Sequence, residues 1–291
     1  MKPKQLIFLI LVLILFSCTQ QSKPPTYLGQ NIPFEHPEIF AKGMVSVDST
    51  SESMISVTND GFAIFFMRYF KDEKGNTNGV QSLYTRFDGK KWTDLKQKDR
   101  EMFYRTPRFV NDSLAIMESN ACIWKSKKVN DSTWTKPVFV DSLDLSRQNG
   151  VSDWSITADL TLFYVQNGDV VTARIDNDQL DESKKITGFE GFKTRHVGVA
   201  PGGDYLICDG FLEGVNNGWV DNFISFRKTD ASWTFPVHMD STINTKGEGN
   251  YFPRISPDGA VFFFSRQNSA NLSDILWLST KGLDSYKNLA E

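Results

Sequence analysis

ISVTNDGFAIFF, residues 55–66, is the first of five similar stretches in this chain. The others are PRFVNDSLAIME (107–118), WSITADLTLFYV (154–165), VGVAPGGDYLIC (197–208) and PRISPDGAVFFF (253–264). Each has an alternating segment, a tight turn rich in Asn, Asp or Gly, and a second apolar segment, as in a β-hairpin. One turn position recurs at intervals of 52, 47, 43 and 56 residues, in Asp60, Asp112, Asp159, Gly202 and Asp258. This spacing predicts five repeats of one β unit.

A third strand follows each hairpin, in QSLYTRF, NACIWKS, DVVTARI, DNFISFR and DILWLST. Because the second segments are almost continuously apolar, we expect their sheets to be covered on both faces. Four short antiparallel strands repeated radially predict an all-β fold, a single β-propeller of five or six four-stranded blades. Residues 34–47 have no turn of their own, and we expect part of them to close the ring with the last unit.

The N-terminus has the pattern of an export signal. Lys2 and Lys4 precede an apolar run at residues 6–16, which as a helix would span only about 16 Å, roughly half of a bilayer core. The tetrapeptide Leu15-Phe16-Ser17-Cys18 resembles a bacterial lipobox, which implies lipidation of Cys18. The alternative is an ordinary cleaved signal peptide with an incidental cysteine. We predict a signal peptide over 1–17, a lipid-anchored tether over 18–33 and a propeller domain over 34–291.

SPDGAVFFFSR (256–266), followed by DILWLS (274–279), resembles the TolB-type, WD40-like propeller repeat. YLGQ (27–30), PEIFAKGMVS (37–46), DNFISFRKTDASWT (221–234) and STIN (241–244) are similar to a family of anchored propeller lipoproteins of Bacteroidetes-like bacteria. The likeness covers nearly the whole mature chain. It implies a propeller on a lipid anchor and little about chemistry, since a fold does not fix a function. Thr19 after Cys18 favours the outer membrane, with the body in the periplasm or at the cell surface.

Charge and cysteine content narrow the possible functions. Loss of Lys2 and Lys4 with the signal would take the formal net charge from −3 to −5, and no basic cluster is visible, so nucleic acid is not an expected partner. Cys122 and Cys208 lie in apolar strand-like runs of different repeats, and we expect two buried thiols rather than a disulfide. No spacing indicates a metal site or a cofactor, and the membrane is expected to be reached only through the lipid.

The first strand of each blade lines a propeller's central channel, so polar residues just before each turn are candidate ligand contacts. They are Arg105, Arg108, Asp153, Trp154, Arg195, His196, Glu248, Tyr251 and Arg254. Repeated arginines can instead bridge neighbouring blades. The turn aspartates are expected to accept hydrogen bonds from their own turns rather than to catalyse a reaction.

The arginines and aromatic residues among these channel candidates favour a non-enzymatic module that binds an envelope protein, peptide or glycan. The alternative is a carbohydrate-active enzyme of the glycoside hydrolase kind, for which Asp153 and Glu248 would be the carboxylate pair. A purely structural envelope scaffold is a third possibility.

Overall fold

The computed structural model describes residues 26–97, 106–119, 122–130, 133–143, 151–216, 218–268 and 270–290. The strands of these segments form five antiparallel sheets. A short 3₁₀ helix, Tyr27–Gly29, comes first, and a second one, Thr280–Leu289, follows the last strand. No helix of the described residues is long and apolar enough to cross a membrane.

Each sheet is one blade, and the strands are numbered in chain order. The chain begins with β1 (Glu38–Ile39) and then forms blade 1 from β2 (Ser51–Val57), β3 (Ala63–Lys71), β4 (Thr77–Arg86) and β5 (Lys96–Gln97). Blade 2 contains β6 (Arg108–Asn111), β7 (Leu114–Ser119), β8 (Cys122–Asn130), β9 (Thr133–Trp134) and β10 (Val138–Ser142). Blade 3 contains β11 (Val151–Ile156), β12 (Thr161–Gln166), β13 (Asp169–Asp176), β14 (Gln179–Leu180) and β15 (Lys184–Lys185).

Two further blades complete the molecule. Blade 4 contains β16 (Lys193–Val199), β17 (Tyr205–Phe211), β18 (Asp221–Phe226) and β19 (Val237–His238). Blade 5 contains β20 (Gly249–Ile255), β21 (Val261–Gln267) and β22 (Ser273–Ser279), with β1 as its outermost strand. Outer positions in blades 2 and 3 are shared by two short strands that pair with the same neighbour. The predicted all-β propeller is confirmed, with five blades.

The ring is closed at both its inner and its outer edge. Consecutive innermost strands contact one another all the way round, in the order β2, β6, β11, β16, β20 and back to β2. At the outer edge β1 pairs with β22, so that Glu38 lies opposite Trp277 and Ile39 opposite Leu276. The predicted closure by part of residues 34–47 is therefore confirmed, and it covers a sheet edge that would otherwise be free to pair.

The hairpin turns are held by their own side chains, as the turn chemistry predicts. Asp60 Oδ1 accepts hydrogen bonds from Thr58 Oγ1 at 2.6 Å and from the Phe62 N–H at 2.9 Å. Asp258 Oδ1 accepts the same two bonds, from Ser256 Oγ at 2.5 Å and the Ala260 N–H at 3.0 Å. These aspartates fix the turns of blades 1 and 5.

Apolar side chains fill the spaces between blades, which explains the continuously apolar second strands. The cluster between blades 5 and 1 contains Phe40, Phe66, Phe263 and Trp277, all almost completely buried. Tyr27, from the segment predicted as tether, is buried in the same cluster. Cys208 is buried in blade 4 and Cys122 is partly exposed in blade 2, and both are free thiols.

Candidate functional site

The channel contains a buried carboxylate that two arginines share. Asp153, on β11, is completely buried, and its Oδ1 lies 2.6 Å from Arg254 Nη2 and 3.7 Å from Arg108 Nη2. Both arginines are also buried, and they occupy equivalent positions on β20 and β6, each four residues before its turn aspartate. One carboxylate on blade 3 therefore joins blades 2 and 5 across the channel.

The arginines make further bonds that extend this arrangement around the ring. Arg254 Nη1 donates to the carbonyl of Val197 on blade 4 at 3.2 Å. Arg108 Nη1 donates to Thr106 Oγ1 at 2.8 Å, and its guanidinium lies 5.3 Å from the centre of a Trp154 ring. Four of the five blades thus meet through two guanidinium groups, in a network that we call the arginine lattice (Arg108, Asp153, Arg254).

The charge environment of Asp153 keeps it ionised. Burial alone would raise the pKa of this carboxyl, but the positive charge of Arg254, with His196 and Arg108, outweighs burial and lowers the pKa below its usual value. A general acid needs the opposite shift, toward neutral pH. Asp153 is therefore suited to holding the arginines in place.

A second buried pair lies beside the lattice on blade 4. His196 Nδ1 is 2.5 Å from Asp209 Oδ2, and the backbone N–H of His196 donates to Asp209 Oδ1 at 2.9 Å. The N–H of Phe252, on blade 5, donates to Asp209 Oδ2 at 2.9 Å, and the rings of His196 and Phe252 have centroids 3.9 Å apart. Asp209 thus connects blades 4 and 5, and reading only the strands before the turns could not identify it because it lies on β17.

Little space remains inside the channel on the side of the hairpin turns. The cavity there has a volume of ≈ 40 Å³ and is lined by residues of all five innermost strands. That is room for two or three water molecules, which need about 10 to 15 Å³ each, and far below the roughly 300 Å³ of a small-molecule pocket. This half of the channel is therefore too narrow for a small-molecule ligand.

The opposite end of the channel, where the innermost strands begin, carries the predicted residues that are not buried. We call this end the loop face. The Arg195 guanidinium lies 5.6 Å from the centre of the Tyr251 ring, and Tyr251 Oη donates to Gln267 Oε1 at 3.3 Å. Glu248 Oε2 lies 3.6 Å from Arg266 Nε. Arg195 is exposed and Tyr251 half-buried, so a partner at the surface can reach both.

Exposed apolar side chains, none of them among the predicted residues, lie at the same end of blade 4, where Phe211 pairs with Lys193 at the start of β16. Phe211 is 45% exposed, Val215 39% and Trp219 44%, and all three belong to the end of β17 or its connection to β18. Asn216 orders this loop, since its Nδ2 donates to the carbonyls of Gly210 at 2.8 Å and Trp219 at 2.7 Å. The loop is tied to blade 5 because the N–H of Asn250 donates to the Val220 carbonyl at 2.7 Å.

We call this surface the loop-face patch (Arg195, Phe211, Val215, Trp219, Tyr251). The sequence does contain a signal for this patch: the connection between two apolar strands is longer than a hairpin needs, and it carries Phe, Val and Trp. Aromatic groups beside an arginine are typical of binding surfaces.

The predicted residues therefore fall into separate groups. Arg108, Asp153, Trp154 and Arg254 are buried together, His196 is buried beside them, and Arg195, Glu248 and Tyr251 reach the loop face. Arg105 and Cys18 lie outside the described residues. Within the described part of the chain, no group of three or more His, Cys, Asp or Glu side chains is placed to hold a metal ion.

Comparison with known proteins gives similarity to solved structures only at low identity. No family model and no curated protein matches the chain. A glycosyl hydrolase structure from Bacteroides ovatus is 12% identical, with 87% of this chain and 95% of that chain covered at a TM-score of 0.46. The Pan2 WD40 domain of Neurospora crassa is 8% identical, with 79% and 89% covered at a TM-score of 0.41. At these identities and TM-scores neither likeness assigns a function, so the site is judged from its own geometry.

Proposed function

We propose that this chain is a non-enzymatic binding module of the cell envelope, a propeller that holds a protein, peptide or glycan partner at its loop-face patch. The observation that carries the proposal is the exposure of Phe211, Val215 and Trp219 at the same end of blade 4 as Arg195, which contacts Tyr251. Exposed apolar groups clustered around a polar pair are a recurrent feature of interaction sites.

The carboxylates support binding over glycoside hydrolysis. Asp153 is completely buried and bonded to Arg254, and its pKa is lowered, so it is poorly suited to protonating a leaving group. Glu248, the other member of the suspected pair, lies beside Arg266. Asp153 therefore has neither the raised pKa nor the open setting that a glycosidase acid needs.

We further propose that the chain is a lipoprotein related to the TolB-type, WD40-like propellers, anchored through Cys18 to the outer membrane, with its body in the periplasm or at the cell surface. The support is the Leu15 to Cys18 motif after a short apolar run. A clickable fatty acid fed to growing cells should label the wild type and leave Cys18→Ala unlabelled. Equal labelling of both proteins would contradict the anchor.

A photocrosslinking amino acid at position 215 tests the binding surface in intact cells. We expect a discrete crosslinked product from this position and none from a matched position at Phe139, which is 48% exposed on an outer strand of blade 2. A glycan array with the purified domain covers the case of a sugar partner. Equal crosslinking from positions 215 and 139, with no glycan bound, would refute the proposal.

A further inference from the structure

A groove between blades 1 and 2, on the face that carries the hairpin turns, is large enough for an aromatic ring. Its volume is ≈ 190 Å³, and its walls include Asp60, Phe65, Tyr84, Asp112 and Trp134. A cavity of about 150 Å³ is enough to bind benzene. The groove lies outside the loop-face patch, so a ligand bound in it would be independent of the proposed function.

The equivalent groove between blades 5 and 1 is filled by the chain itself. Tyr27 is buried there against Phe263 and Trp277, with ring centroids 6.3 Å and 5.8 Å away. Its Oη donates to Asp258 Oδ2 at 3.4 Å, and its backbone N–H donates to the Gly61 carbonyl at 3.1 Å. The molecule therefore shows which group this kind of groove accepts.

The aromatic wall on the first blade of each groove corresponds in the two grooves, whereas on the opposite wall Phe109 of blade 2 stands where blade 1 has Val57. Phe65 pairs with Tyr84 in blade 1 as Phe263 pairs with Trp277 in blade 5. Both pairs are stacked, at 5.6 Å and 17° for Phe65 with Tyr84 and at 6.1 Å and 16° for the blade 5 pair. The opposite wall has a tryptophan in both grooves, because Trp134 and Trp92 occupy the same place after the third strand of their blades.

The polar end of the groove corresponds as well. Asp60 and Asp258 are held identically through their Oδ1 atoms by a hydroxyl and a backbone N–H. Since Asp258 Oδ2 accepts the Tyr27 hydroxyl, the corresponding oxygen of Asp60 is placed to accept a hydroxyl in the groove between blades 1 and 2. Burial and the nearby Asp258 raise the pKa of Tyr27, so its hydroxyl stays protonated and remains a donor.

The groove between blades 3 and 4 lacks two of these features. It is lined by Asp159, Phe163 and Trp233, but Thr172 pairs with Phe163 where Tyr84 pairs with Phe65. Gly202 stands at the position of Asp112. This groove serves as an internal comparison that has no stacked wall.

We infer that the groove between blades 1 and 2 binds a tyrosine side chain of a partner polypeptide, its ring between the Phe65–Tyr84 stack and Trp134 and its hydroxyl donating to Asp60. Ser113 replaces Gly61 at the mouth of this groove, and Thr26 packs within 3.1 Å of where a Cβ on Gly61 would lie. The partner backbone must therefore approach by another path than residue 26 does. The two grooves therefore share the way they bind a tyrosine side chain, and they differ in how the backbone carrying that side chain approaches.

Titration of the purified domain with N-acetyl-tyrosine amide, followed by NMR of tryptophan indole signals, tests the inference. Trp134, assigned through Trp134→Phe, should shift with a dissociation constant on the order of 1 mM, typical of fragment-sized ligands. N-acetyl-phenylalanine amide should bind about tenfold more weakly, because it cannot donate to Asp60. Tyr84→Thr, which copies blade 3, should weaken binding by about threefold to tenfold, and Thr172→Ala should leave it unchanged.

Tyr27→Ala provides a positive control by emptying the groove that the chain normally fills. The tyrosine amide should raise the melting temperature of this variant more than that of the wild type. Equal affinities for the two amides, a Trp134 signal that does not move, or equal affinities of Tyr84→Thr and wild type would each overturn the inference. A Trp134 shift with N-acetylglucosamine and none with the tyrosine amide would overturn it in favour of a sugar.

Discussion

Arg108 and Arg254 illustrate what a repeat alignment can predict about single residues. Pro107-Arg108 and Pro253-Arg254 align from sequence, and the structure places both guanidinium groups on one carboxylate. The alignment could not identify that carboxylate, because Asp153 is 101 residues from Arg254 and has no counterpart at the same position in other blades. Asp209 could not be identified for a similar reason, since its partners lie on two different blades.

The arginine lattice predicts a large loss of stability from Asp153→Asn. Removing the charge leaves Arg254 and Arg108 buried without a counter-ion, at a cost of about 3 to 5 kcal/mol. We expect the melting temperature to fall by roughly 10 °C in a thermal unfolding experiment. Asp178→Asn is the matched control, because Asp178 pairs with Lys125 at the surface and exposed pairs contribute about 0 to 1 kcal/mol. Equal losses in the two variants would contradict a structural role for Asp153.

The wild type and Asp153→Asn should also differ in how their stability depends on pH. The pKa of Asp153 is lower in the folded protein than in the unfolded chain, where it is about 3.9. Its contribution to the free energy of unfolding is therefore complete above about pH 4 and is lost as the pH falls through the folded-state pKa. Denaturant unfolding should give a free energy of unfolding that is higher for the wild type than for Asp153→Asn. This difference should be constant from about pH 7 to 5 and should become smaller in stronger acid. A difference in the free energy of unfolding that grows in acid would contradict a lowered pKa of Asp153 in the folded protein.

At the level of elements, the closing strand shows that packing can place a strand that has almost no sequence signal of its own. β1 has only two residues, and no alternation predicts it. Its location follows from ring closure: the last repeat supplies only three strands of blade 5, and β1 pairs with the outer edge of the third. The position of the strand depends on Phe40, whose ring fills the space against Phe263 and Trp277 at centroid distances of 5.5 Å and 5.0 Å.

Phe40→Ala tests whether this strand holds the ring shut. Loss of a fully buried phenylalanine costs about 3 to 5 kcal/mol, so the melting temperature should fall by roughly 10 °C. Phe34→Ala is the control, since Phe34 is 60% exposed just before the strand and exposed substitutions change stability by about 0.5 kcal/mol or less. Similar melting temperatures for the two variants would mean that closure does not depend on this contact.

For the whole molecule, the repeat spacing is sufficient to predict the architecture because each blade is a local unit with its own turn chemistry. The spacing alone leaves the number of blades at five or six, and pairing of β1 with β22 places the N-terminal segment in blade 5. Arg195 and Tyr251 were predicted, but the repeats do not indicate the apolar part of the loop-face patch, since exposure of Phe211 and Trp219 depends on how a loop of blade 4 is tied to blade 5. Repeat periodicity carries no information about such irregular connections.

The arginine lattice and the loop-face patch consist of different residues, and one paired measurement tests whether their roles are separate. Arg108→Ala with Arg254→Ala alters the arginine lattice, and Phe211→Ala with Trp219→Ala alters the loop-face patch. Melting temperature and crosslinking from position 215, per folded molecule, are measured in both double variants.

We expect the lattice variant to lose roughly 10 °C in melting temperature with crosslinking unchanged, because it leaves Asp153 buried and unpaired. The patch variant should melt within a few degrees of the wild type and lose its crosslinked product. A lattice variant that melts normally and loses the crosslinked product would show that the channel binds the partner, and would contradict the separation of a structural channel from a binding face.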